Sequence, residues 1–390
     1  MTVPDNRPAA ENRPAPENRP APENAPAPDN APAPDNAPVS EDAPPPSGAA
    51  TPTPGPAVGT RAAQGRSLPA GVSAMPRVPW TAVLAFTVLA CGLAWLVCLP
   101  LWLGRGLAEP AATALLPLMM VTPALAAVIV VFGMRSPRFD RARFLGLWPL
   151  RPARRVVWLL IAAWLVPPLL VGASVLVAAA LGWVQLDPSF SAFAGQLERT
   201  LPPGTPLPPI GLVVFSQLAA IPLGALLNSV LAFGEELGWR GWLLPALRPL
   251  GTWPALLLSG VIWGLWHSPV ILLGYNFGRT DLTGVLFMIG GCVAWGVLFG
   301  WLRLRSGSVW PAVVAHGALN AAGGTVLLFA ATVPDLALAG PLGVAGWIVA
   351  AAVALVLLLT GQFRVQPPLA GPRPQGPPRT LDAPPTPAVG

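Results

Sequence analysis

Residues 81–103 read TAVLAFTVLACGLAWLVCLPLWL, 23 positions without a charge. A helix of about 20 apolar residues crosses the hydrocarbon core of a bilayer. Working outward between charges, comparable runs recur near 110–132, 156–182, 210–234, 252–275, 283–302, 309–331 and 341–360. This pattern predicts an all-α polytopic membrane protein with about eight transmembrane helices. Prolines and glycines inside the runs fit that reading, because neighbouring helices satisfy the backbone groups they free.

Composition points the same way. Of 390 residues, 53% are hydrophobic and 10% charged, against about 25% charged in ordinary globular proteins. So few charges do not cover a water-soluble surface. The net charge is +6 and every cation is arginine. No basic patch interleaved with aromatics accompanies it, so nucleic acid is set aside as a partner. The arginines instead sort by loop. Arg61, Arg66 and Arg77 precede the first run, and Arg135, Arg138, Arg141, Arg143, Arg151, Arg154 and Arg155 follow the second. Arg240 and Arg248 follow the fourth, Arg303 and Arg305 the sixth, Arg364 and Arg373 the eighth. The alternate loops hold Arg105, Arg199 and Arg279. The positive-inside rule then puts both termini in the cytoplasm of a multi-pass plasma-membrane protein.

The two ends are of another kind. From Asp5 to Pro46 a six-residue unit repeats (DNRPAA, ENRPAP, ENRPAP, ENAPAP, DNAPAP, DNAPVS, EDAPPP). It offers almost nothing large to bury, so residues 1–76 read as a disordered acidic Pro/Ala/Asn tail. Residues 77–365 read as the membrane domain and the Pro-rich residues 366–390 as a second disordered tail. Cys91, Cys98 and Cys292 fall inside apolar runs with no CxxC pair, which fits buried small hydrophobes.

Ionisable groups inside apolar runs are costly and mark function by default. The chain has two histidines, His267 and His316, both inside such runs; Glu235 and Glu236 stand at the end of the fourth, followed by Arg240. On a helix Glu236 and Arg240, four apart, face each other as an ion pair, and Glu235 is turned about 100° away. His316 and Asn320, also four apart, share a face, as do Trp263 and His267. A carboxylate with a histidine activates a water, and a histidine with an amide stabilises an oxyanion. The set therefore suffices to hydrolyse an amide bond. Glu235, His267 and His316 would equally make a zinc shell, although HExxH is absent and asparagine is a poor zinc ligand. They would also serve as an ion-coupled transport relay, or as polar groups that hold the helices of a scaffold together.

Glu235-Glu236-Leu237-Gly238-Trp239-Arg240 resembles the EExxxR motif of the type II CAAX prenyl endopeptidase and bacteriocin-processing (CPBP, Abi) family of intramembrane proteases. Trp263-Gly264-Leu265-Trp266-His267 resembles its FxxxH motif and His316-Gly317-Ala318-Leu319-Asn320 its HxxxN motif, in the family's order, over roughly residues 205–330. The resemblance implies an endopeptidase in which Glu235 and His267 activate the water, His316 and Asn320 form the oxyanion site, and Glu236 and Arg240 support the geometry. It implies no required metal, with zinc kept as the alternative, and a peptide or membrane-protein substrate taken from the cytoplasmic face. Eukaryotic relatives cut prenylated CAAX peptides; the arginine-only, Ala/Pro/Gly-rich composition looks bacterial, and bacterial relatives are linked to peptide processing and self-immunity. Trp263 departs from the motif's Phe. The span boundaries also put Glu235 near the surface and His267 about 20 Å along its helix. A fourth span slid inward along Ile210–Leu247 would reconcile the two depths.

Overall fold

The computed structural model describes residue 75 and residues 77–364; the two Pro-rich tails lie outside the described residues. The chain is a multi-pass all-α membrane protein. Among the described residues seven helices are long and apolar enough to cross a membrane. They are α1 (Trp80–Leu103), α2 (Ala112–Gly133), α3 (Ala153–Ala180), α5 (Ile210–Leu250), α7 (Leu282–Ser306), α8 (Trp310–Phe329) and α9 (Leu336–Leu359). Two further helices complete the order: α4 (Ser191–Thr200), between α3 and α5, and α6 (Thr252–Trp266), between α5 and α7.

The eight expected runs all appear, but α6 is too short to count among the seven. It has 15 residues, starting after Gly251 in an extended, positive-φ conformation and ending at His267. A single further turn, Ser268–Ile271, follows. The fourth expected span differs in the other direction. Instead of stopping near residue 234, α5 runs 41 residues to Leu250, widening into a π-turn over Leu237–Leu243. The boundary read from sequence treated the Glu pair as a water-exposed end. In the structure Glu236 and Arg240 pair with each other and both are buried, so the helix continues through them.

The outer surface shows what solvent this fold expects. Leu84, Val88, Leu96, Leu169, Phe215, Leu227 and Val230 are all exposed, so the helices present apolar side chains outward as well as inward, as bilayer contact requires. Inside, α5 packs chiefly on α8 and α6 on α7.

Contacts at the helix ends sort the loops onto two faces. Met75 Sδ lies 3.9 Å from Ser136 Oγ, and Trp242 Nε1 donates to Ser136 O at 2.8 Å. Val309 N donates to Gly146 O, and the Trp253 and Phe363 rings are 4.9 Å apart. The starts of α1, α6 and α8 and the ends of α2, α5, α7 and α9 thus share one face. Arg77, Arg135, Arg138, Arg141, Arg143, Arg151, Arg154, Arg155, Arg248, Arg305 and Arg364 belong to it. On the opposite face Trp102 Nε1 donates to Pro269 O at 2.9 Å, and Asp187 N to Phe329 O at 2.7 Å. That face carries Arg105, Arg199 and Arg279 together with Glu109, Asp187, Glu198, Asp281 and Asp335.

Candidate active site

The Glu pair sits where α5 changes from α-helix to π-turn, and the two carboxylates point to different partners. Glu236 Oε1 accepts from Arg240 Nη1 at 2.7 Å and from His316 Nδ1 at 3.0 Å. Glu235 Oε2 accepts from Trp263 Nε1 at 2.7 Å. Glu235, Glu236, Arg240 and His316 are at most 4% exposed. The depths of Glu235 and His267 agree after all, because the inward extension of α5 brings Glu235 level with the end of α6.

Burial makes these contacts strong determinants of geometry. Breaking a buried ion pair by removing one partner costs about 3–5 kcal/mol, because the other charge stays in a low-dielectric interior. The pair is roofed by aromatics: the Arg240 guanidinium lies 4.2 Å from the Trp263 ring centroid and 5.3 Å from that of Phe299. Phe299 also stacks on the His316 ring at 5.6 Å.

His267 Nδ1 lies 2.9 Å from Trp263 O. A carbonyl only accepts, so Nδ1 carries the hydrogen and Nε2 is left with its lone pair. For His316 the Glu236 carboxylate plays the same part, fixing a hydrogen on Nδ1.

Close helix approach holds the motifs in register. A Cβ on Gly264, between Trp263 and His267, would lie 2.5 Å from Ile289 Cα of α7. A Cβ on Gly317, next to His316, would lie 2.6 Å from Ala225 O and from Ser229 N of α5. Small residues at membrane helix crossings permit this contact, and here they bring α6 and α8 up to α7 and α5.

Glu235, Trp263, His267, His316 and Asn320 line one cavity of about 490 Å³. Glu236 and Arg240 do not line it; they lie behind His316 and Trp263. Asn320 is an exposed cavity residue. Among the described residues no group of three or more His, Cys, Asp or Glu side chains is placed to hold a metal ion. Glu235, His267 and His316 therefore share the cavity without forming a ligand shell.

Several contributors were not singled out from sequence. Arg303, read as one of the loop arginines, is 1% exposed inside α7. Its Nε donates to Arg240 O at 3.0 Å and its Nη2 to Phe144 O at 2.7 Å, tying the π-turn to the Arg141–Phe144 turn. Asn228, Tyr275, Asn276 and Cys292 also line the cavity. Asn228 had a visible signal, one of two carboxamides, with Gln217, within the apolar run of α5.

Comparison with known proteins concerns this same segment. Residues 216–322 match the family model described as type II CAAX prenyl endopeptidase Rce1-like. A 93-residue stretch is 29% identical to CAAX prenyl protease 2 of Methanococcus maripaludis, covering 22% of this chain and 34% of that protein. The chain thus spans about a third of the length of that relative. The matched segment is similar to that family and contains all three motifs, Glu235–Arg240, Trp263–His267 and His316–Asn320.

Proposed function

We propose that this protein is a membrane endopeptidase in which the Glu235 carboxylate and His267 Nε2 activate a water. The observation that carries the reading is the convergence of Glu235, His267, His316 and Asn320, from three helices, on one cavity. Trp263 occupies Glu235 Oε2, so Oε1 is the oxygen available to take the proton from water. The hydroxide attacks the peptide carbonyl, and the proton passes from Glu235 to the leaving amine as the C–N bond breaks.

The developing oxyanion accepts from Asn320 Nδ2 and from His316 Nε2. Because His316 Nδ1 already faces Glu236, donation from Nε2 requires the doubly protonated ring, with the Glu236 carboxylate as its counter-charge. Arg240 shares that carboxylate and fixes its position. Glu236 and Arg240 are thus positioning residues, while Glu235, His267, His316 and Asn320 are the catalytic ones.

The test is cleavage of a library of membrane-anchored peptides by wild type, Glu235→Gln and His267→Ala reconstituted in vesicles. Loss of a general base is expected to lower kcat by about 10²–10⁴-fold, with both variants folded and the wild type insensitive to chelator. Chelator-sensitive cleavage would return zinc to the mechanism. Equal product from wild type and Glu235→Gln would remove the peptidase reading.

A further inference from the structure

Besides the four residues given catalytic roles, five side chains bring N–H or O–H donors to the cavity wall: Asn228, Trp263, Trp266, Tyr275 and Asn276. Three of them are engaged. Trp263 Nε1 donates to Glu235, Trp266 Nε1 to Thr122 Oγ1 at 3.0 Å, and Asn228 Nδ2 to Gly224 O at 2.8 Å. The Tyr275 hydroxyl and the Asn276 carboxamide have no hydrogen-bond partner among the described residues. A polar group drawn out of water without a partner is unfavourable, so both are groups in want of one. Burial pushes the Tyr275 phenol up, and the Glu235 carboxylate pushes it further. The hydroxyl therefore keeps its proton, as a donor, within electrostatic reach of the proposed base.

The loop that carries this pair is built onto the catalytic turn. His267 O accepts from Val270 N and Ile271 N, each at 3.1 Å, and Val270 O accepts from Tyr275 N at 3.1 Å. Gly274, Asn276 and Gly278 have φ of 93°, 67° and 66°. Phe277 N donates to Tyr275 O at 2.8 Å, which closes a γ-turn centred on Asn276, a rare and strained form at positive φ. Phe277 anchors the turn from beneath: it is buried, with its ring 6.0 Å from that of Phe287 in α7. Strain of this kind persists only where the surroundings over-determine it, and it gathers at ligand clamps.

The chemistry of the pair suits a polypeptide backbone. A carboxamide matches both the N–H and the C=O of a peptide group, and a phenol donates to a carbonyl. We propose that Tyr275 and Asn276 bind the substrate backbone beside the scissile bond, the Tyr275 hydroxyl donating to a carbonyl and the Asn276 carboxamide pairing with a peptide group. That the bound peptide is a substrate rests on the peptidase reading; that a peptide group is recognised does not. The plainer account keeps Asn276 because asparagine tolerates positive φ and Tyr275 as an interfacial aromatic. It forecasts no effect from Tyr275→Phe, which keeps the ring, or from Asn276→Gly, which keeps the turn.

Two measurements on the full chain separate these accounts. The first is steady-state kinetics in vesicles on the library peptide that the wild type cuts fastest. Tyr275→Phe and Asn276→Gly are each expected to raise KM about 3–10-fold with kcat within about threefold and the melting temperature unchanged. Esters replacing single amides of that peptide remove one N–H at a time. One position should then show a KM penalty in wild type that disappears in Asn276→Gly. Unchanged KM in both variants, or an ester penalty that Asn276→Gly leaves intact at every position, overturns the proposal. The second measurement needs no turnover. Tyr275 is the chain's one tyrosine, so [13Cζ]tyrosine gives a single NMR resonance from its phenol carbon. In Glu235→Gln that resonance should move saturably as a capped apolar tripeptide amide is titrated in. A resonance that stays fixed overturns the proposal. If the wild type cuts nothing beyond Glu235→Gln while the resonance still responds, the peptidase reading fails and peptide binding by Tyr275 stands.

Discussion

Trp263 touches more of the site than any residue the sequence motifs would rank above it. Its indole N–H donates to Glu235, its carbonyl fixes His267, its ring faces Arg240, and its edge meets His316 at 5.3 Å. Where the family motif has Phe, this chain has a donor aimed at the proposed base. Trp263→Phe keeps an aromatic wall and the backbone carbonyl while deleting one hydrogen bond to a charged acceptor, worth about 1.5–3 kcal/mol. If that bond orients the carboxylate for the transition state, kcat per folded enzyme falls about 10–100-fold with KM within about threefold. Steady-state kinetics beside a thermal melt decide the matter: a lower melting point with kcat retained would make Trp263 a packing residue only. The acid, base and amide types were legible because each is expensive inside an apolar run. The direction of the indole N–H was not, since an aromatic at that spacing reads only as a wall. Arg303 escaped for a related reason: an arginine near the end of an apolar run looks like a topological signal until its carbonyl partners are seen.

At the scale of single elements, the crossing of α5 and α8 depends on Gly317. Replacing it with Ala gains about 1 kcal/mol of helix propensity. The new Cβ, however, meets backbone atoms of α5 at 2.6 Å, and overpacking of this kind costs about 1–3 kcal/mol. The steric cost prevails, so Gly317→Ala is expected to lower the melting temperature in detergent and displace His316 from Glu236. An unchanged or raised melting temperature would show that the helices give way cheaply. A second element-level prediction concerns the turn into α4. Asp187 accepts from the Ser189 hydroxyl, Ala192 N, the Ser191 hydroxyl and Ser189 N, and these bonds hold its carboxyl well below the usual range, the Ser189 hydroxyl foremost. A depressed carboxylate contributes stability above its unfolded pKa, about 3.9, and loses it as pH falls toward the folded value. Protection of amides 187–192 from hydrogen exchange should therefore drop in Asp187→Asn relative to wild type near pH 7, and the gap should narrow progressively as pH falls below about 3.9 toward the folded value. A difference that does not depend on pH would contradict this. Helix α6 shows what span-counting misses: its run was visible, but Gly251 and the turn at His267 cut it to 15 residues.

For the whole molecule, the apolar runs revealed the fold because a bilayer allows few ways of satisfying a backbone. The order of helices and the arginine asymmetry were legible with it. The depth of the Glu pair was not, because it depends on α5 passing inward through a paired Glu–Arg that sequence alone reads as a boundary. Orientation itself is set by loops rather than by the site, and that separates the two experimentally. Arg135, Arg138, Arg151 and Arg154 are exposed on the arginine-rich face and are absent from the cavity wall. Changing all four to Gln, and adding four arginines across residues 201–209 of the opposite face, removes most of the local bias that fixes the α2–α3 connection. A substantial fraction of molecules, on the order of a third or more, should then insert inverted, as read by impermeant labelling of Arg199→Cys in the same background. Inverted molecules keep every catalytic contact, so in vesicles they should cleave peptide offered on the other side at the wild-type rate per molecule. Inversion without transfer of activity would mean that the bundle, once turned round, no longer assembles the Glu235–Trp263 and Glu236–His316 contacts. Retention of the original orientation would mean that the acidic opposite face, rather than the arginines, holds the molecule in place.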